Sequence, residues 1–216
     1  IPVAGGGGDN AASAVGIGAV RPDQGFVSLG TSGTAFACSS VPSADPSGAV
    51  AGFADATGRF LPLVCTLNAA RILTATAAML GVGFDELAQL ALSAQPGSGG
   101  LVLLPYFDGE RTPNLPEATG SLHGITRANY TPANIARSAY EGMLCGLADA
   151  VDALVDVGVT PGRIMLVGGA AANSAVAQVA ATLFDAPIEI PTPGEYVADG
   201  AARQAAWALS GAAAPP

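Results

Sequence analysis

Asp9 closes a run of four glycines, Gly5-Gly6-Gly7-Gly8, and is followed by Asn10-Ala11-Ala12. Glycine has no Cβ, so backbone of this kind lets a ligand come close. A carboxylate directly after it, at a helix start, can point into a cleft and accept a proton from a hydroxyl. The same residues also suit a plain turn in which Asp9 is the helix N-cap. Further on, Ser28-Leu29-Gly30-Thr31-Ser32-Gly33-Thr34 reads as a hairpin turn rich in Gly, Ser and Thr. Backbone N–H groups and hydroxyls presented this way can hold an anion; an ordinary hairpin is the alternative. A third pattern is Leu166-Val167-Gly168-Gly169-Ala170-Ala171-Ala172-Asn173. Two glycines between a buried strand and a helix let a planar or phosphate-bearing ligand lie against backbone, and Asn173 could hydrogen-bond it from the helix start. Tight strand–helix packing would use the same glycines.

Several chemistries are excluded or disfavoured. The chain has eight cationic side chains, all arginine, so a phosphate loop ending in Lys-Ser/Thr is ruled out. Gly6-x-Gly8-x-x-Ala11 fits the loose dinucleotide fingerprint, which would point to an oxidoreductase. That motif needs an acidic residue ending the next strand; Asp23 lies before it, and the strand turns back as a hairpin. The net charge of −9 leaves no basic face for nucleic acid or for an anionic membrane. Cys38, Cys65 and Cys145 are scattered, without zinc-ligand spacing, and no metal site is expected. They read as small core residues in a reducing, cytoplasmic protein. The uncharged stretch 164–184 is long enough for a membrane span, but its Gly, Asn, Ser and Gln residues fit a strand, a glycine turn and a helix better. No signal peptide is expected. The chain opens on Ile1 in an apolar run, as a piece of something longer would.

The elements that must position these residues alternate between strands and helices. Strands are expected near 1–4, 26–29, 34–38, 60–65, 101–104, 163–167 and 188–190. Helices are expected over 10–18, 68–80, 84–94, 131–157, 174–184 and 197–209. Thr131-Pro132 is a cap followed by proline at the first helical position. Leu144, Leu147, Val151 and Leu154 form an apolar stripe behind it. Residues 107–122 make a long polar loop with two prolines. The class is α/β.

Taken together and in order, the three patterns resemble the C-terminal domain of the FGGY carbohydrate kinases. The strongest match is Gly120-Ser121-Leu122-His123-Gly124-Ile125, eight residues, then Asn134-Ile135-Ala136-Arg137-Ser138-Ala139-Tyr140-Glu141, which satisfies the family's second signature. Gly8-Asp9-Asn10-Ala11-Ala12 and Leu104-Pro105-Tyr106-Phe107-Asp108-Gly109-Glu110-Arg111-Thr112-Pro113 are similar to segments of the xylulokinases within that family. The resemblance implies an actin-like ATPase (ribonuclease H-like) domain, a mixed sheet flanked by helices, over 1–211, with a frayed tail at 212–216. It implies ATP and Mg²⁺ as cofactors and a pentulose sugar, D-xylulose above all, as substrate. Asp9 matches the catalytic base and Asn10 a sugar neighbour. Gly30, Thr31, Ser32 and Gly33 match the phosphate turn. Gly168, Gly169 and Asn173 match the adenosine motif, with Asn68 near the nucleotide. Arg137 and Glu141 are expected to pair on a helix surface, and His123 to be structural or solvated. The sugar-reading N-terminal kinase domain is absent, so the fragment is expected to bind nucleotide without phosphorylating sugar. Its exposed interdomain face could favour a homodimer. The alternative is an actin-like binding or regulatory module without catalysis.

Overall fold

The computed structural model describes residues 3–22 and 24–213. The expected strand start at Ile1, the position of Asp23 and the tail end 214–216 lie outside the described residues. In chain order the elements are α1 (Asp9–Ile17), β1 (Gln24–Leu29), β2 (Gly33–Ala37), β3 (Leu63–Thr66), α2 (Ala70–Leu80) and α3 (Phe84–Ser93). Then follow β4 (Val102–Leu104), β5 (Ser121–His123), α4 (Pro132–Asp156), β6 (Arg163–Val167), α5 (Ser174–Ala180), β7 (Ile188–Glu189) and α6 (Tyr196–Ser210).

Five strands form one mixed sheet in the order β3-β2-β1-β6-β7. β1, β2 and β3 are an antiparallel meander, while β6 runs parallel to β1 and β7 parallel to β6. Strand β1 is buried along nearly its whole length, as a strand with helices on both faces must be. Alternate side chains serve opposite layers. Val27 and Leu29 join α4 residues Tyr140, Met143, Leu144 and Leu147 in the larger core. Phe26 points the other way, where it packs with Ala11, Ala14, Phe36 and Met165 under α1. The Phe26 and Phe36 rings stack at 4.8 Å. Helix α6 rests on α1 at a glycine crossing: a Cβ on Gly200 would lie 1.8 Å from the Ala12 carbonyl oxygen.

Helix α4 follows its sequence signal closely. Its 25 residues begin with Pro132, and the Thr131 side chain caps it by accepting from the Asn134 amide at 3.3 Å. Thr131→Ala is expected to cost about 1 kcal/mol, read as a lower urea midpoint with an unchanged m-value.

Some expectations are corrected. The expected strand 60–65 is broken, because Pro62 has no N–H for the ladder; Phe60 bridges Ser39 and the regular strand starts at Leu63. Helix α2 starts at Ala70 and not at residue 68. Strand β4 is not buried: Val102 is exposed and pairs across a two-stranded ribbon with β5. Strand β5 lies in the expected polar loop and was not legible, since three residues with one apolar side chain carry no alternation. Helix α5 stops at Ala180, short of Phe184. Of the cysteines only Cys38 is a core residue; Cys65 is half-buried and Cys145 exposed.

Candidate active site

Parallel pairing of β1 with β6 brings two distant turns side by side. Ser28 pairs with Val167, so the hairpin after β1 and the glycine turn after β6 leave the sheet at the same edge. Ligands of α/β sheets bind outside such strand ends. Gly168 is the residue that permits the approach. Its φ is +93°, and a Cβ there would lie 2.7 Å from the Leu29 carbonyl oxygen. A cavity of about 510 Å³ opens here. Leu29, Gly30 and Thr31 wall it from the hairpin, and Ala70 and Leu73 from α2. Phe84 and Asp85 enter from α3, and Gly169, Ala170, Ala172 and Asn173 from the turn before α5. A second hollow of about 450 Å³ lies along Gly168 and Gly169 as well, against Ile190, Pro193 and Tyr196.

The structure thus brings Gly30, Thr31, Gly169 and Asn173 into one cleft, with Gly168 at its hinge. Asn173 is the N-cap of α5: its Oδ1 accepts from the Ala175 amide at 2.9 Å. Ser32 is exposed at the hairpin tip. Gly33 is buried, because a Cβ there would meet Leu147 Cδ2 at 2.5 Å; it fits β2 onto α4. The Gly30 carbonyl accepts from the Ala70 amide at 3.0 Å, which fixes the hairpin against α2.

Asp9 does not cap its helix. Gly8 is the N-cap, and Asp9 is the first helical residue, exposed, with Oδ1 accepting from the Asn10 amide at 2.9 Å. Asn10 is half-buried beside it. Neither lines the cavity. Burial pushes the Cys65 thiol up; Arg111 opposes that rise, and Asp9 adds to it.

Asn68 is not brought into the cleft. It is 3% exposed, and its Nδ2 donates to the Gly109 carbonyl at 2.7 Å and to Glu110 Oε2 at 2.9 Å. Its role is to hold the long loop. Arg137 and Glu141 do pair, at 2.6 Å, but not on the surface: their side chains are only 6% and 16% exposed. Glu141 also accepts from the Gly97 amide and the Ser98 hydroxyl, and so clamps the 3₁₀ turn Ser98–Gly100. His123 is exposed, with Nε2 at 2.8 Å from the Ser121 hydroxyl.

Sequence reasoning missed four residues. Phe84 and Asp85 were read only as a helix start. Arg71, whose Nε approaches the Thr31 carbonyl at 3.4 Å and whose guanidinium pairs with Asp108 at 2.7 Å, supplies a cation at the hairpin. Glu110 is buried and accepts from the Leu67 and Arg111 amides. An arginine early in a helix and a glutamate in a polar loop carry no signal of their own; only the fold gives them partners.

Among the described residues no group of three or more His, Cys, Asp or Glu could hold a metal ion. No helix there is long and apolar enough to cross a membrane.

Comparison with known proteins agrees with this architecture. The profile of the FGGY family of carbohydrate kinases, C-terminal domain, matches residues 25–209. Xylulose kinase of Streptomyces coelicolor is 45% identical over 97% of this chain, and that of Streptomyces rubiginosus 44% over 97%. Both matches cover 42% of the relative, so the chain spans about two fifths of the length of these curated relatives. The crystal structure of xylulose kinase from Bifidobacterium adolescentis superposes with a TM-score of 0.91 at 50% identity, over 99% of this chain and 42% of that one. The fold is the actin-like ATPase fold of those kinases. With its mixed sheet, its cleft at the β1 and β6 ends and a family profile matched over most of its length, the chain belongs to the FGGY family of carbohydrate kinases, in which it corresponds to the C-terminal domain.

Proposed function

We propose that residues 1–211 form the nucleotide-binding half of an ATP-dependent ketose kinase that converts D-xylulose to D-xylulose 5-phosphate. The observation that carries this reading is the convergence of the Gly30–Thr31 turn and the Gly169–Asn173 turn on one cleft. The names of the most similar relatives favour the pentulose. In this reading Thr31, with the Gly30, Ser32 and Gly33 backbone around it, meets the phosphates. Gly168, Gly169 and Asn173 meet the adenosine. Arg71 adds a positive charge beside the hairpin. Magnesium enters with the nucleotide, as Mg-ATP.

Asp9 and Asn10 face the sugar. Asp9 accepts the proton of the C5 hydroxyl as that oxygen attacks the γ-phosphorus and ADP leaves. An exposed carboxylate at the start of a helix suits this task, because it can be reached by a hydroxyl. The sugar-binding wall opposite Asp9 comes from the N-terminal part of the kinase, so this chain alone binds nucleotide and does not transfer phosphate.

Calorimetric titration of Mg-ATP into the chain tests the reading. One-site binding that is weakened about tenfold or more by Thr31→Ala is expected, as for a lost phosphate contact. No heat at millimolar nucleotide would sink it.

A further inference from the structure

The cleft lining is of two kinds. Gly30 and Thr31 bring small polar groups suited to phosphate. Phe84 and Asp85 of α3 bring an aromatic ring and a carboxylate, and Ala172 and Asn173 line the same cleft. Phe84 is 53% exposed although it begins a helix whose next turn packs fully buried Leu87. An aromatic ring left bare on a cleft wall is a stacking surface for a flat heterocycle. Beside it, no protein donor among the described residues occupies the Asp85 carboxylate. Asn173 spends its Oδ1 on the Ala175 amide. Its other polar group is Nδ2, a pure donor whose two hydrogens can serve two acceptors.

A buried group lies behind these two. Tyr140 on α4 is fully buried, and its hydroxyl has no hydrogen-bond partner. Burial pushes the phenol up to about 12; the Asn173 amide pulls it down without closing a hydrogen bond of full geometry, and the Asp85 carboxylate pushes it up again.

We propose that Asp85 and the Asn173 amide read the edge of the base, and that Asp85 is the specificity-determining residue that selects an amino-purine nucleotide over an oxo-purine one. The proposal rests on the nucleotide reading above and names what that site discriminates. Adenine presents an acceptor, N7, beside a donor, the N6 amine; guanine presents two acceptors, N7 and O6. Asn173 Nδ2 donates to N7 of either base. Asp85 accepts from the adenine amine, but it meets the guanine O6 as one acceptor against another. A site that leaves such a group unpaired rejects the wrong ligand strongly.

The test is titration of Mg-ATP and Mg-GTP into the chain and into Asp85→Asn. Asp85 is exposed, so the variant is expected to fold; an unchanged unfolding midpoint checks this. The parent should prefer ATP by at least about tenfold. In Asp85→Asn the amide can turn to donate to O6, so ATP binding should weaken by roughly tenfold while GTP binding holds or improves. Equal weakening of both nucleotides would assign the carboxylate to the ribose and overturn the proposal. So would unchanged binding of both, or a parent that binds ATP and GTP alike; either result leaves the nucleotide reading standing. A parent that binds neither nucleotide overturns both.

Discussion

Asp9→Asn in the full-length kinase is expected to lower kcat on D-xylulose by about 10³-fold, within the range for removal of a general base. Asparagine has the shape of aspartate but cannot take a proton at neutral pH. The local structure should survive, because the one bond made by the carboxylate, from the Asn10 amide, can be accepted equally by the asparagine oxygen. Asp9 is exposed, and a surface change of this kind stays within about 0.5 kcal/mol. Asp9 does not line the nucleotide cleft, so Mg-ATP affinity of the chain should not fall. The expected signature is a collapse of turnover with the fold and nucleotide binding intact. A steady-state assay of the full enzyme, alongside calorimetry on the chain, reads all three. Turnover within tenfold of the parent would remove Asp9 from the role of base.

The largest effect on stability is expected at Glu110. Its buried carboxylate accepts from the Leu67 amide, the Arg111 amide and Asn68 Nδ2. These donors belong to the β3–α2 connection and to the loop 105–120. Glu110→Ala leaves the Leu67 and Arg111 amides without an acceptor, and Asn68 Nδ2 with the Gly109 carbonyl alone. The expected loss is about 3–5 kcal/mol, since each buried unsatisfied donor costs about 1–3 kcal/mol and partial relaxation recovers some of it. Against a typical total of about 5–15 kcal/mol this is a large share. Glu110→Gln keeps the shape but turns an amine toward one donor, and should fall between the parent and the alanine variant. The Arg71–Asp108 pair is a useful contrast. Its side chains are 32% and 61% exposed, and such a pair contributes about 1 kcal/mol or less. Urea unfolding of the variants decides the ranking. A Glu110→Ala loss below about 1 kcal/mol would mean that the loop is not anchored through this carboxylate.

How far the sequence could be read follows from the range of each signal. The start of α4 was legible because a cap and a proline act within one turn: Thr131 accepts from Asn134, and Pro132 begins the helix. The hairpin at Gly30–Gly33 was legible for the same reason, as was the strand–glycine–helix pattern around Gly168. Where a signal depends on a distant partner, a short stretch does not carry it. Asn68, which the resemblance places near the nucleotide, is a buried anchor for Gly109 and Glu110. Arg137 and Glu141 have the spacing of a surface pair, yet the turn at residues 97–100 packs over them. Three cysteines had the composition of core residues, and only one is buried.

The sequence by itself determined the α/β class, the helix that carries the larger core, the three glycine patterns and, through its second signature, the family. Periodicity, capping and turn chemistry act over a few residues, so they are written locally. Only the tertiary structure decided that the patterns after β1 and β6 share one cleft, that Phe84 and Asp85 wall it, and that Glu110 holds its loop. Those outcomes depend on parallel pairing between strands far apart in the chain and on what each side chain is buried against, and neither is encoded in any short stretch of residues.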